Sequence, residues 1–380
     1  MARIVLVQMP FRTLCTPSIA LSLLRGVLEN DGHETEVRYL NAKYAQRVGV
    51  NLYRAISDVV AADTLYGEMV FSAMPLGASD DPEAGNVARR HMESRNIPGW
   101  LIRALPQLAE EARNLVLDES LAIARGGFDL AGFNTTFNLA PALAMARQLK
   151  TIGAGPPVAL GGASVEGVMG ETVIRLFPGV DYVCSGEGEN AVLGLARHID
   201  AGDLGGALIP GIISRSWPKV SRPASWQNLD ELPVPRYDDW LAQLAAAGVD
   251  LPKSGMIIPI ETSRGCWYGA QQHCTFCGLN GESLAFRSKS PATLYPPRTL
   301  WRPRRKCCVD LCRPKPRHGA SPSISSNAAI PRRRSCNSLT REKSILSFSA
   351  SDRSRAYEAR QHICRLRRRT RSSLTQLARC

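Results

Sequence analysis

A nearly continuous apolar run, Ile4 to Met9 with Gln8 as its one polar residue, leads almost at once into a helical pattern, and this pairing constrains the fold more than any other feature of the chain. A strand that is apolar at nearly every position suits burial on both faces, which parallel sheets supply. Thr16 and Pro17 then offer an N-cap and a first-turn proline, and SIALSLLRGVLEND carries apolar residues at helical spacing up to a stop at Gly32. Next, Thr35, Val37 and Tyr39 alternate with Glu34, Glu36 and Arg38, the pattern of a strand with one covered face. Further strands are expected at 129–133, 157–160 and 180–184, with helices at 139–149 and 189–199. Such alternation predicts an α/β fold, a Rossmann-like doubly wound parallel sheet. The connection 43–127 is too long for a bare crossover and is expected to be a helical insertion. Residues 208–214 supply a last strand or hairpin. The proline-bearing WQNLDELPVPRYDDW reads as a linker, and Met256 to Thr262 opens a new strand.

That character ends near Pro291. From Ala292 onward there are 22 Lys+Arg against 4 Asp+Glu, whereas the residues before it hold 25 against 30, so the basicity of the whole chain belongs to its tail. Six of the eleven cysteines also lie there: Cys307, Cys308, Cys312, Cys336, Cys364 and Cys380. Neither helical nor strand periodicity persists in this stretch. Three readings stand: a basic disordered tail, a cysteine-rich metal module, or a segment translated out of frame. The scattered cysteines do not give the paired spacing of a metal module. The arginines lack the aromatic interleaving of single-strand nucleic-acid binders.

The start of the chain has no charged leader, apolar stretch or small-residue cleavage site, and is read as carrying no signal peptide. No run approaches the roughly 18 to 20 apolar residues of a membrane span. A cytoplasmic location is therefore the expectation, and in a reducing compartment clustered cysteines are metal ligands more often than disulfides.

Cys266, Cys274 and Cys277 form such a cluster, C-x7-C-x2-C, in RGCWYGAQQHCTFC. Gly265, Gly269, Gln271, Gln272 and His273 around them do not make an apolar face into which structural thiols would pack. Zinc would need a fourth ligand, for which His273 is available but is adjacent to Cys274. A 4Fe-4S cluster on three cysteines leaves one iron open to a small chelating molecule. From spacing alone, cluster, zinc and structural thiols all remain open.

The segment ETSRGCWYGAQQHCTFCGLNGESLAFRSKSP closely resembles the cysteine loop of radical S-adenosylmethionine (SAM) enzymes, including the aromatic Phe276 before the last cysteine. The seven-residue gap, with RGCW and CTFCGLNG, is similar to the radical SAM C-methyltransferases that mature ribosomally synthesised peptides (RiPP maturation), whose N-terminal domain binds cobalamin. The resemblance spans roughly 1–291. It implies a cobalamin-binding type of α/β domain at 1–215 with the insertion at 43–127. A linker would follow at 216–252, the start of a radical SAM (β/α) barrel at 253–291, and the basic tail at 292–380. It implies Cys266, Cys274 and Cys277 as metal ligands, Phe276 beside them, and S-adenosyl-L-methionine on the open iron. The partners it implies are a peptide precursor substrate and an electron donor; no membrane or nucleic acid is among them.

The expected cobalamin contacts lie at the carboxyl ends of the strands, where parallel sheets bind ligands. They are Asn134 and Thr135 with Thr136 in FNTTF, Gly161 and Gly162 in LGGAS, and Gly186, Glu187 and Gly188 in SGEGE. Glycines there also serve ordinary βα turns. No G-x-G-x-x-G follows the first strand, which argues against a dinucleotide, and no D-x-H-x-x-G offers a cobalt-ligating histidine. The activity the resemblance implies is methyl transfer to a peptide by an enzyme using a 4Fe-4S cluster, SAM and cobalamin. Because ATLYPPRTLWRPRRKCC stands where the barrel would continue, two other readings are kept: a catalytically incomplete cobalamin-binding module, and nucleic-acid binding through the tail.

Overall fold

The computed structural model describes residues 1–75, 90–95, 97–202, 208–221, 225–251, 255–275, 277 and 285–294. The chain divides into two units, Met1–Pro303 and Arg304–Cys380. The second lies wholly outside the described residues, as does nearly all of the basic tail expected at 292–380.

Six strands form the main sheet: β1 Arg3–Gln8, β2 Glu34–Tyr39, β3 Leu130–Asn134, β4 Val158–Gly161, β5 Tyr182–Cys184 and β6 Ile212–Ser214. Their order is β2-β1-β3-β4-β5-β6. β1 to β5 pair in parallel, and β6 runs antiparallel to β5. β1 lies between two neighbours and is buried at every position after Arg3, as its nearly continuous apolar run requires. β2 is an edge strand and alternates buried and open positions. The α/β fold with a mainly parallel sheet is therefore as the sequence pattern predicts.

Between β1 and β2 runs α1, Ile19–Asn30. Its N-cap is Ser18, whose hydroxyl accepts from Leu21 N at 3.3 Å, and not Thr16 as expected. Ser18 has the extended backbone a cap needs, and Pro17 therefore precedes the helix instead of opening it. Gly32 stops the helix with φ +89°, as predicted.

The long connection is helical: α2 Leu40–Val48, α3 Val50–Arg54, α4 Tyr66–Phe71 and α5 Gly99–Ala124. Its aromatic core reaches the loop after β1. Phe11 stacks on Tyr53 with ring centroids 5.2 Å apart and meets Tyr44 edge-on at 5.4 Å. The Tyr53 hydroxyl donates to Arg12 O at 2.7 Å, so the insertion holds that loop in place. α6 Leu139–Ile152, α7 Val168–Leu176 and α8 Gly188–Asp200 follow β3, β4 and β5. α1 packs on α8, and α5 on α6. The chain crosses leftward from β1 to β2 and rightward from β3 to β4, which puts helices on both faces of the sheet.

The stretch expected as a linker carries α9, Asp238–Ala246, with Trp240 fully buried. Gln243 completes the edge of β2: its side chain accepts from Tyr39 N and donates to Val37 O, each at 2.8 Å. One amide thus makes the two bonds a neighbouring strand would have made.

Met256 to Thr262 does not form the expected strand. Its backbone bonds run to scattered partners: Ile257 N to Cys15 O at 2.9 Å, Tyr237 Oη to Pro259 O at 2.8 Å, and Lys289 N to Thr262 O at 2.9 Å. A barrel strand needs neighbours along both edges. What forms instead is a two-residue antiparallel ladder, β7 Ser263–Arg264 with β8 Arg287–Ser288. Ile257, Ile258 and Ile260 stay exposed. Among the described residues no helix is long and apolar enough to cross a membrane.

Candidate functional site

The sheet reverses its winding between β1 and β3, and at such a switch point the carboxyl ends of the strands leave a crevice. Here it deepens into a cavity of ≈ 180 Å³ between the sheet and helices α1 and α8. Leu6, Leu24, Leu160, Val192 and Leu195 make its walls apolar, while Asn134, Thr136, Gly162 and Gly186 form its polar mouth.

The mouth is built from short-range bonds. Asn134 Oδ1 accepts from Thr136 N at 3.0 Å. Thr135 N and Oγ1 donate to Gly161 O at 2.8 and 3.1 Å, fastening the β3 loop to β4. Gly162 has φ +113°, and a Cβ there would stand 2.8 Å from Thr136 Oγ1 and 3.0 Å from Asn134 Oδ1. Both the conformation and the space thus call for glycine. Phe137, next in the loop, has φ +63° and is 71% exposed at the rim. Glu68 of α4 caps the following helix, accepting from Leu139 N at 2.8 Å and Ala140 N at 2.6 Å.

Of the cofactor residues expected from sequence, Asn134, Gly161, Gly162, Gly186 and Gly188 line this one cavity. Thr135 is fully buried and acts as a fastener of the mouth. Glu187 does not line the cavity, because its carboxylate is engaged elsewhere: Trp226 N donates to it at 3.1 Å, Arg264 Nη1 lies 3.1 Å away, and Arg287 Nη2 closes on its other oxygen. Sequence reasoning named neither the apolar walls nor two lining residues with ionisable side chains. Glu189, two positions after Glu187, reaches the wall, and so does Cys184. Burial pushes the Cys184 thiol up to about 12, which keeps it neutral.

The cysteine loop starts directly after β7. Gly265, at φ +77°, turns the chain, and Cys266 Sγ accepts from Gly269 N at 3.2 Å. Hydrogen bonds to a ligand sulfur tune a metal bound to it. Ala270 N to Cys266 O, Gln272 N to Tyr268 O and Cys277 N to Cys274 O close successive tight turns at 2.8, 2.8 and 3.0 Å. Cys266, Cys274 and Cys277 are free, half-buried thiols. Among the described residues no three cysteine, histidine or acidic side chains stand close enough together to hold a metal ion. Phe276 lies outside the described residues. The donor types, three half-buried thiols with an amide donor on one, are those an iron-sulfur cluster takes, although the three do not converge on one point. The apolar cavity with its glycine mouth fits a flat ligand with an apolar appendage.

Arg264 joins the two places. Its guanidinium bonds Glu189 Oε1 at 2.5 Å, Glu261 Oε1 at 2.8 Å and Glu187 Oε2 at 3.1 Å. Burial opposes its charge, yet bonds to Glu189 and Glu261 raise its pKa above the ordinary value. Its position in SRGC was a signal, but its partners lie 75 and 77 residues away in sequence.

No family model matches the chain, and no curated protein matches it. Among solved structures it is similar to the radical S-adenosylmethionine methyltransferase TsrM from Kitasatospora setae. The form with cobalamin and a [4Fe-4S] cluster aligns at 17% identity over 77% of this chain and 44% of that one, with a TM-score of 0.42. The form with tryptophan substrate and the SAM analogue aza-SAM aligns at 17% identity over 59% and 31%, with a TM-score of 0.34. The chain spans less than half the length of those it aligns with. The groups bound in those structures are the three cofactors expected from the cysteine spacing and the loop resemblance, but so loose a likeness carries no argument about this chain.

Proposed function

We propose that this chain binds cobalamin in the cavity at the carboxyl edge of its sheet and holds a 4Fe-4S cluster and SAM on the 266–277 loop, as a radical methyltransferase acting on a peptide precursor. The observation that carries this reading is the cavity itself: apolar inside, glycine-rimmed, at the switch point of the sheet, and tied through Arg264 to the stem of a three-cysteine loop.

When bound, the cluster and SAM supply one-electron chemistry and cobalamin supplies a transferable methyl group; the protein's share is binding, orientation and exclusion of water. Leu6, Leu24 and Leu160 remove an apolar appendage from water, and the Gly162 and Gly186 backbones let a flat group approach closely. Cys266, Cys274 and Cys277 are the cluster ligands, with Gly269 N–H donating to Cys266 Sγ and orienting it.

A second reading has its own observation. β7 and β8 pair over two residues, and Ile257, Ile258 and Ile260 are exposed where a barrel strand would be covered. This favours a cobalamin-binding module without chemistry. Anaerobic reconstitution with iron and sulfide separates the two. Bound iron lost in a Cys266→Ala variant, together with 5′-deoxyadenosine formed from SAM, supports the enzyme. Corrinoid binding without SAM cleavage supports the module. A colourless, iron-free product sinks the cluster assignment.

A further inference from the structure

Five charged side chains form a half-hidden cluster between the cavity and the cysteine loop, and only Glu189 among them also lines the cavity. Glu187 and Glu189 come from the turn that opens α8, where the helix dipole favours carboxylates. Glu189 also lines the cavity wall. Arg264 and Glu261 come from β7 and the residues before it. Arg287 comes from β8, on the far side of the cysteine loop. The side chains of Arg264 and Arg287 are 14% and 12% exposed, those of Glu187 and Glu189 16% and 7%.

Both stems of the loop are therefore tied to one turn. Arg264, two residues before Cys266, spans Glu187, Glu189 and Glu261. Arg287 closes on Glu187 and also donates to Trp226 O. The fork of Arg264 is what allows this, since a lysine keeps the charge but cannot span three carboxylates in fixed directions.

We propose that Arg264 is a positioning residue that locks the cysteine loop to the Gly186–Glu189 turn, so that filling the cavity orders the loop and ordering the loop tightens the cavity. This rests on the cobalamin reading only for the identity of the cavity's occupant. The coupling is reciprocal by linkage, whichever site is filled first.

The test measures the alkylation rate of Cys266 by iodoacetamide in the full chain, read by mass spectrometry, with cyanocobalamin as the probe. In the ligand-free protein, Arg264→Lys and Glu189→Gln each accelerate alkylation of Cys266, and the double variant reacts no faster than the quicker single one. Rates that multiply in the double variant, or that do not change, overturn the lock. With cyanocobalamin bound, alkylation of the wild type slows about fivefold or more, the low end of ordinary coupling, and Arg264→Lys loses that protection while still retaining the corrinoid. Equal protection in both proteins overturns the coupling. Failure of the wild type to retain cyanocobalamin overturns the cobalamin reading instead, and the ligand-free rates then decide the lock by themselves.

Discussion

Arg264 Nη2 donates to Glu189 Oε1 at 2.5 Å, joining the residue two before the first clustered cysteine to a wall of the sheet cavity. Both side chains are largely hidden, at 14% and 7% exposure. Removing one partner leaves a buried charge without compensation, which costs about 3–5 kcal/mol. Arg264→Met is therefore expected to lower the unfolding free energy by that amount in urea titrations. A loss under about 1 kcal/mol, the scale of exposed pairs, would mean that water screens the cluster.

Acid should loosen the same anchor. Burial would raise the pKa of Glu187, but bonds from Arg287 and Trp226 N and the charges of Arg287 and Arg264 outweigh it and leave the carboxyl below its ordinary 4.5. A carboxyl with a depressed folded pKa contributes its full stability above the unfolded value and loses it as pH falls through the folded one. The urea midpoint should hold steady from neutral pH down to the carboxylate range and fall below it. Glu187→Gln should shallow that fall; an identical acid limb in the variant would assign the effect to other carboxyls.

Gly162 tests the cavity mouth. Its φ of +113° and the 2.8 Å separation between a Cβ there and Thr136 Oγ1 leave no room for a side chain. Gly162→Ala is expected to cost about 1–3 kcal/mol and to weaken any ligand held at the mouth. Calorimetric melting checks the first part, and an unchanged melting temperature would contradict the geometry.

Phe137 tests the opposite kind of strain. A bulky residue at φ +63° that is 71% exposed has little packing to offset its conformation. Phe137→Asn, which tolerates the left-handed region, is expected to stabilise the free protein by about 1 kcal/mol. If urea titration shows destabilisation instead, the ring is a packed element of the rim.

Much of this architecture was readable in the sequence because it rests on local patterns. The nearly continuous run at Ile4 to Met9 and the alternation at Thr35, Val37 and Tyr39 report directly how many faces of each strand are covered. The glycines at 161, 162, 186 and 188 were found because backbone freedom at strand ends is visible one residue at a time. Long-range partnerships left no such trace. Nothing near Trp240 announces that its helix seals the edge of β2 through Gln243. Glu187 looked like a ligand because it sits in a glycine-rich turn, while its partners come from Arg264 and Arg287. Met256 to Thr262 has the composition of a strand, but a strand is completed by neighbours, and its own residues cannot show whether those are present.

The most direct test is equilibrium dialysis of cyanocobalamin against the full chain, wild type and Leu24→Trp, the latter filling the ≈ 180 Å³ cavity from α1. Saturable, one-to-one binding by the wild type and its loss in the variant are expected, with the two proteins unfolding at similar urea concentrations. Absence of binding in the wild type, or binding that survives the filled cavity, would contradict the assignment of this site to cobalamin.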